Sequence, residues 1–152
     1  MKARLGQIND DGGNLLELIR DAHSVIQEQH SDRMEDYLEV IYELIKKKGY
    51  AVQTDISESL NVSLPSVSKM LQRLDESKYL KYEKYRGINL TEEGIELAEN
   101  IHEKHDLLSE FFKMIGVDED VANIDAEGIE HHLHAQTFRK LREFIRSQKK
   151  DA

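Results

Sequence analysis

Apolar residues recur at helical spacing along most of the chain. After the breaker Gly12-Gly13, Leu15, Leu18, Ile19, Ala22, Val25 and Ile26 return every three or four positions, predicting an amphipathic helix over residues 14–28. Ser31-Asp32 signals a boundary and a second helix start. Tyr37, Val40, Ile41, Leu44 and Ile45 form its stripe, and Gly49 stops it after Lys46-Lys47-Lys48, cations suited to a helix C-terminus. Thr54 is the expected cap of a short helix, Asp55–Leu60, with a turn at Asn61 and Val62. Ser63 is the expected cap of the next helix, with Pro65 in its first turn, where a missing N–H is harmless. Val67, Met70, Leu71 and Leu74 give that helix its buried face. Residues 79–91 then alternate apolar with charged side chains around Arg86-Gly87, the pattern of a β-hairpin. Thr91, followed by Glu92 and Glu93, opens a long helix. Its seam is Ala98, Ile101, His105, Leu108, Phe112 and Ile115, and it ends at Gly116. Two more helices are expected over 118–134 and 137–149, the last turning Phe138, Leu141, Phe144 and Ile145 inward.

Helix, turn, helix and hairpin in this order make a winged helix-turn-helix. The expected fold is mainly α: an N-terminal extension over 1–32, a winged helix-turn-helix over 33–91, and an all-helical domain over 92–152. The second helix of such a unit enters the major groove of DNA, and the wing touches the backbone. Away from its buried stripe, that helix carries Pro65, Lys69 and Gln72, flanked by Ser66 and Arg73, with Ser63 at its start. Lys84 and Arg86 fall at the wing tip. Hydroxyls, an amide and cations suit phosphate and base-edge contacts. A narrow apolar seam along the later helix commonly meets a partner helix, so a two-fold homodimer on a palindromic operator is the simplest assembly. The competing use of a winged helix is protein contact.

Charge first weakens this reading and then restores it. The 152 residues carry a net charge of −9, and a pI near 5.3 argues against a nucleic-acid partner. The distribution is uneven, however. Residues 1–32 sum to −3 and 92–152 to −7, whereas 33–91 sum to +1 and the stretch 64–91 to +3. Charged residues reach 34% and apolar residues 39%, enough for a modest, well-solvated core. Cysteine is absent, which excludes disulfides, a thiol nucleophile and thiolate metal sites. No apolar run approaches the roughly 20 residues that span a bilayer, and the N-terminus lacks a signal-peptide core. A soluble, cytoplasmic protein is expected.

Candidate chemistry lies in acids and histidines. Asp36 and Glu39 stand three apart on the first helix of the wing module, on one face and off its apolar stripe. Glu127, Glu130 and His131 stand at i, i+3 and i+4 on a later helix, so all three are expected to project the same way. Glu-x-x-His patterns arranged around a bundle bind divalent metals. His105 lies within the apolar seam, where a lone histidine is commonly a core residue; an acidic cluster facing it changes that reading. Four carboxylates and two imidazoles suffice for two neighbouring divalent ions. An oxygen-rich set without sulfur suits Mn²⁺ and tolerates Fe²⁺ or Co²⁺, and it does not exclude Zn²⁺. His134 lies one turn on, as an extra ligand or a supporting group; His132 points elsewhere.

The segments MEDYLEVIYELIKKKGYA (34–51), KYEKYRGINLTEEG (81–94), HEKHDLLSEFF (102–112) and DAEGIEHHL (125–133) resemble the manganese-responsive branch of the diphtheria-toxin-repressor family, over about residues 33–135. The resemblance implies a homodimeric, Mn²⁺-activated repressor of manganese-uptake genes. It implies metal ligands at Asp36, Glu39, His105, Glu127, Glu130 and His131, the six already singled out. The iron-responsive branch typically has Met at the position of Glu39 and Cys at that of Glu127, and two hard oxygen donors favour manganese. The chain ends soon after the dimerisation helices, so the SH3-like third domain of the iron branch is expected to be absent. Two departures stand out: a short C-terminal tail and the 32-residue extension. The extension's helix suits an apolar groove of the dimer or DNA flanks, its −3 charge weighing against phosphate contact. A dimetal hydrolase or oxygen-activating enzyme would use similar carboxylates, yet no dedicated nucleophile or substrate pocket is evident and the basic winged helix would go unexplained. A winged-helix regulator sensing a small organic ligand is the remaining alternative.

Overall fold

The computed structural model describes residues 15–28, 31–83 and 86–152. The chain divides into two units, 1–30 and 31–152. In the first, α1 (Leu15–Glu28) forms as the periodicity predicts. Leu15, Leu16, Leu18 and Ile19 are all exposed on it. The first 14 residues, the side chains of Val25 and Ile26, and Lys84 lie outside the described residues.

The second unit runs α2 (Ser31–Lys48), α3 (Gln53–Leu60), α4 (Leu64–Glu76), β1 (Leu80–Glu83), β2 (Gly87–Leu90), α5 (Glu92–Met114), α6 (Glu119–Ile129) and α7 (Ala135–Lys150). α2 buries Tyr37, Leu38 and Ile41 against Ile56 of α3, Val67, Met70, Leu71 and Leu74 of α4, and Leu80 and Ile88 of the hairpin. This is the core of a winged helix-turn-helix. Asn61 closes α3 in the left-handed region at φ 52°, a conformation asparagine tolerates well. Ser63 caps α4 as expected, accepting from the Ser66 amide, with Pro65 in the first turn.

The hairpin is antiparallel, pairing Leu80 with Leu90 and Glu83 with Gly87. Leu80 and Ile88 point inward while Lys81, Glu83 and Asn89 face solvent, the alternation a half-buried ribbon requires. Asp75 of α4 accepts from the Tyr82 amide at 2.9 Å. Gln53 of α3 bonds both Ser68 of α4 and the Tyr82 hydroxyl. Helix-turn-helix and wing are therefore one hydrogen-bonded body.

Thr91 joins the wing to α5. Its hydroxyl accepts from the Gly94 amide at 3.1 Å and donates to the Lys78 carbonyl at 2.7 Å. Gly94 is required by close approach, since a Cβ there would lie 1.9 Å from the Tyr79 carbonyl oxygen. α5 is the spine of the unit. It packs on α2, and farther along on α6 and α7, where Leu107 and Leu108 meet Ala126, Phe138 and Ile145 in a second, smaller core.

Four sequence expectations are corrected. α3 begins at Gln53 with Val52 as its cap residue and no side-chain cap, so Thr54 lies inside the helix. The helix expected over 118–134 ends at Ile129, and Glu130 to Leu133 form turns. Ile115 is 62% exposed at the end of the α5 seam, and Phe144 is 45% exposed, although its ring meets Phe111 edge-on at 6.1 Å. His134, which the sequence left open as an extra ligand or a supporting group, is the exposed residue preceding α7 and belongs to neither acid–histidine cluster described below.

Candidate metal centre and nucleic-acid interface

α2 leaves its apolar stripe on one side and turns Asp36 and Glu39 toward α5 and the end of α6. The six expected residues converge there. Ligand-capable atoms of Glu39, His105, Glu127 and Glu130 lie within 4.8 Å of one another, and so do those of Asp36, Glu39 and His131. Glu39 belongs to both groups. His105 presents Nδ1 3.0 Å from Glu130 Oε2 and 3.2 Å from Glu127 Oε2. His131 presents Nε2 2.9 Å from Asp36 Oδ1 and 3.4 Å from Glu130 Oε1. A cavity of about 270 Å³ lined by Asp36, Glu39 and Glu127 opens this junction to solvent. A larger one, about 580 Å³, lies between the end of α2, the wing and the start of α5 and includes none of the six.

The structure brings together the same six residues as the sequence argument, by a partly different route. Glu127 occupies the last turn of α6, but Glu130 is the cap residue and His131 lies in the following turn. The turn separates the donors. Glu127 stays with His105, whereas His131 swings toward Asp36. One participant was missed: Glu35 Oε2 lies 2.6 Å from His131 Nδ1. Its signal was its place four residues before Glu39, hence on the same helix face.

The electrostatics of the junction show what it lacks. Burial, reinforced by the Glu130 and Glu127 carboxylates, pushes Glu39 up to about 8. Burial and the Glu127 carboxylate likewise raise Glu130 to about 7. Both carboxyls are thereby biased toward their protonated forms. For His131, burial opposes the charged form, but the Asp36 and Glu35 carboxylates outweigh it and raise the imidazole to about 10. The protonated ring acts as the cation of an otherwise anionic pocket. Even so, Glu130 Oε1 and His131 Nε2 are buried without a hydrogen-bond partner. Close oxygens and a nitrogen, too crowded to ionise together and incompletely bonded, fit a divalent cation.

The expected nucleic-acid face is also assembled. Ser63, Pro65, Ser66, Lys69, Gln72 and Arg73 are exposed on or before α4, opposite its buried stripe. The Ser63 and Ser66 hydroxyls bond each other at 2.9 Å. Arg86 is exposed at the wing tip, 3.3 Å from Glu83.

Fold and side-chain clusters define a winged helix-turn-helix protein joined to a helical second module. The comparisons with known proteins give the family. Residues 29–88 match "Iron dependent repressor, N-terminal DNA binding domain". Residues 91–152 match "Iron dependent repressor, metal binding and dimerisation domain". The chain belongs to the iron dependent repressor family, also called the diphtheria-toxin-repressor family, and contains both of these domains. Among solved structures, it is similar to IdeR of T. acidophilum, at 31% identity over 73% of this chain and 53% of that one, TM-score 0.64. It is similar to the manganese regulator SloR, at 31% identity over 74% and 53%, TM-score 0.65. The manganese-activated repressor ScaR matches at 27% identity over 72% and 53%, TM-score 0.64. The chain spans about half the length of these proteins. No helix among the described residues is long and apolar enough to cross a membrane.

Proposed function

We propose that this protein is a homodimeric, Mn²⁺-dependent transcriptional repressor of metal-uptake genes that reads a palindromic operator in the cytoplasm. In this reading residues 33–91 bind DNA and residues 92–152 hold metal and partner. Asp36, Glu39, His105, Glu127, Glu130 and His131 are the ligands of two ions per chain. The observation that carries it is the sharing of Glu39 between two acid–histidine clusters that together join α2 of the DNA-binding domain to α5 and the turn after α6. Similarity to a manganese regulator and to a manganese-activated repressor supports the choice of metal. So does the donor set, in which carboxylates outnumber imidazoles and sulfur is absent. SloR is a regulator and ScaR a repressor, which speaks for a non-enzymatic role.

A bound divalent ion supplies positive charge and directional bonds at this junction. The rest follows from the chain's own residues. Without a cation, Asp36, Glu39, Glu127 and Glu130 repel one another, and burial and that repulsion bias Glu39 and Glu130 toward their protonated forms. Once neutralised, Asp36 and Glu39 hold α2 against α5, and α2 carries α3, α4 and the wing with it through their common core. In a two-fold dimer this sets the spacing of the two α4 helices. Shifting the competent arrangement from rare to dominant needs about 5.5 kcal/mol of differential binding.

Fluorescence anisotropy with DNA from the protein's own promoter region, in Mn²⁺ and in EDTA, tests this. Tight binding only with Mn²⁺ is expected, and equal affinity in both would overturn it. A broader or iron-directed response is the second reading, favoured by the family's description as iron dependent and by ScaR structures with bound Zn²⁺ and Cd²⁺.

A further inference from the structure

His131 is an unusual ligand candidate because the helix that should hold it has already ended. Its backbone lies in a turn after α6, where no regular hydrogen-bond ladder fixes the ring. The ring is nonetheless well buried, with 7% of its side chain exposed. Both of its nitrogens are met by α2. Glu35 Oε2 lies 2.6 Å from Nδ1, and Asp36 Oδ1 lies 2.9 Å from Nε2. Only the first contact is a hydrogen bond; Nε2 has no hydrogen-bond partner and lies 3.4 Å from Glu130 Oε1, beside the acid cluster. Glu35 belongs to neither group of candidate ligands. Its carboxylate sits on the far side of the ring from the cluster.

We infer that Glu35 is the positioning residue for His131: it accepts the Nδ1–H, assigns Nε2 as the ligating nitrogen, and docks the turn after α6 onto α2. This rests on the metal-site reading above. Outer carboxylates that hold ligating histidines fix ring orientation and raise ligand basicity, and their loss commonly costs about 10- to 100-fold in metal affinity. Here the same contact crosses from the DNA-binding domain to the metal-binding domain, 96 residues apart in sequence. The α2 helix therefore orients His131 from one end of the ring and faces the metal position from the other. The effect should be confined to the Asp36, Glu39 and His131 group. In the other group His105 is held by Glu127 and Glu130, and the Glu35 carboxylate is not among its partners.

Two measurements on the full chain test the assignment. Calorimetric titration with Mn²⁺ should show one of two binding steps weakened roughly 10- to 100-fold in Glu35→Ala and the other unchanged. Glu35→Gln, whose amide oxygen still accepts from Nδ1–H, should recover most of the loss, and matching thermal melts of the variants separate orientation from misfolding. Long-range ¹H–¹⁵N spectra of the Cd²⁺-loaded wild type, Cd²⁺ being diamagnetic and accepting more ligands than Zn²⁺, should show His131 protonated at Nδ1 and metal-shifted at Nε2. Metal on Nδ1, or unchanged binding in Glu35→Ala, overturns the role of Glu35 while leaving the metal site standing. A wild type that binds neither ion overturns both.

Discussion

Glu39 is the residue on which most depends, because both clusters draw on it. Glu39→Ala should abolish both Mn²⁺ binding steps, whereas His105→Ala should leave the step at Asp36, Glu39 and His131. Calorimetric stoichiometry distinguishes them: about two ions for the wild type, one for His105→Ala and none for Glu39→Ala. If Glu39→Ala retains a full-affinity ion, the shared-ligand picture fails. The protons at the junction make a second, independent prediction. Glu39, Glu130 and His131 all have folded values above their ordinary ones, about 8, 7 and 10 against 4.5, 4.5 and 6.5. The folded chain therefore binds more protons than the unfolded chain between about pH 4.5 and 10, and these groups' contribution to stability falls as pH rises. For the carboxylates it is fully present below pH 4.5 and lost by pH 8; for His131 it is present below 6.5 and lost through 10. The metal-free melting temperature should drop from pH 6 to pH 9, and saturating Mn²⁺ should flatten that slope because ligation displaces the same protons. A metal-free melting temperature that rises over this range would show that the carboxylates ionise freely.

At the scale of elements, most of the fold was legible because each helix carries a continuous apolar stripe and because Ser63 and Thr91 are strong caps that the structure uses. Legibility failed where periodicity had no say. Val52 starts α3 without a side-chain cap, so a search for capping residues drew the start to Thr54. No glycine or proline follows the last residue of α6, Gly128 lying inside it, so its pattern ran on through Glu130 and His131. The metal candidates were still found, since a turn placed after Ile129 preserves their proximity but redistributes which donor meets which. Glu35 was passed over because its place four residues before Glu39 marks a shared helix face but not its partner, and the tertiary fold brings residue 131 beside residue 35. The wing offers the test at this scale. β1 is held to α4 by Asp75 and the Gln53–Ser68–Tyr82 network, so strands and α4 form one body. If Arg86 and Lys84 meet phosphate, each substitution by Ala should lower the slope of log affinity against log salt by about 0.9. Lys69→Ala and Arg73→Ala on α4 should behave alike. Unchanged affinity and slope in both wing variants would remove the wing from the DNA backbone.

At the scale of the whole molecule, the proposed function asks a chain of net charge −9 to approach phosphates, and in that reading bound cations would both neutralise charge and join the domains. The remaining question is which cation does so. Zn²⁺ should bind this set of carboxylates and imidazoles more tightly than Mn²⁺ by the ordinary order of divalent affinities, so affinity alone cannot make a manganese sensor. Coordination number can, because Zn²⁺ is satisfied by about four ligands, whereas Mn²⁺ favours about six, largely oxygen. The cluster of Glu39, His105, Glu127 and Glu130 offers Zn²⁺ four residues by itself. Zn²⁺ held there has little need of Asp36 or His131, and the second group stays unfilled. α2 would then be tied through Glu39 alone. Saturating Zn²⁺ should therefore leave operator affinity short of the Mn²⁺ value, while its own dissociation constant is the lower of the two. The double variant Glu39→Met and Glu127→Cys, which introduces softer donors, should narrow the gap between Mn²⁺ and either Fe²⁺ or Zn²⁺. Operator affinity of wild type and double variant at saturating concentrations of each ion decides the matter. Full activation of the wild type by Zn²⁺ would rule out coordination number as the selector and move selectivity to the concentrations of free metal in the cell.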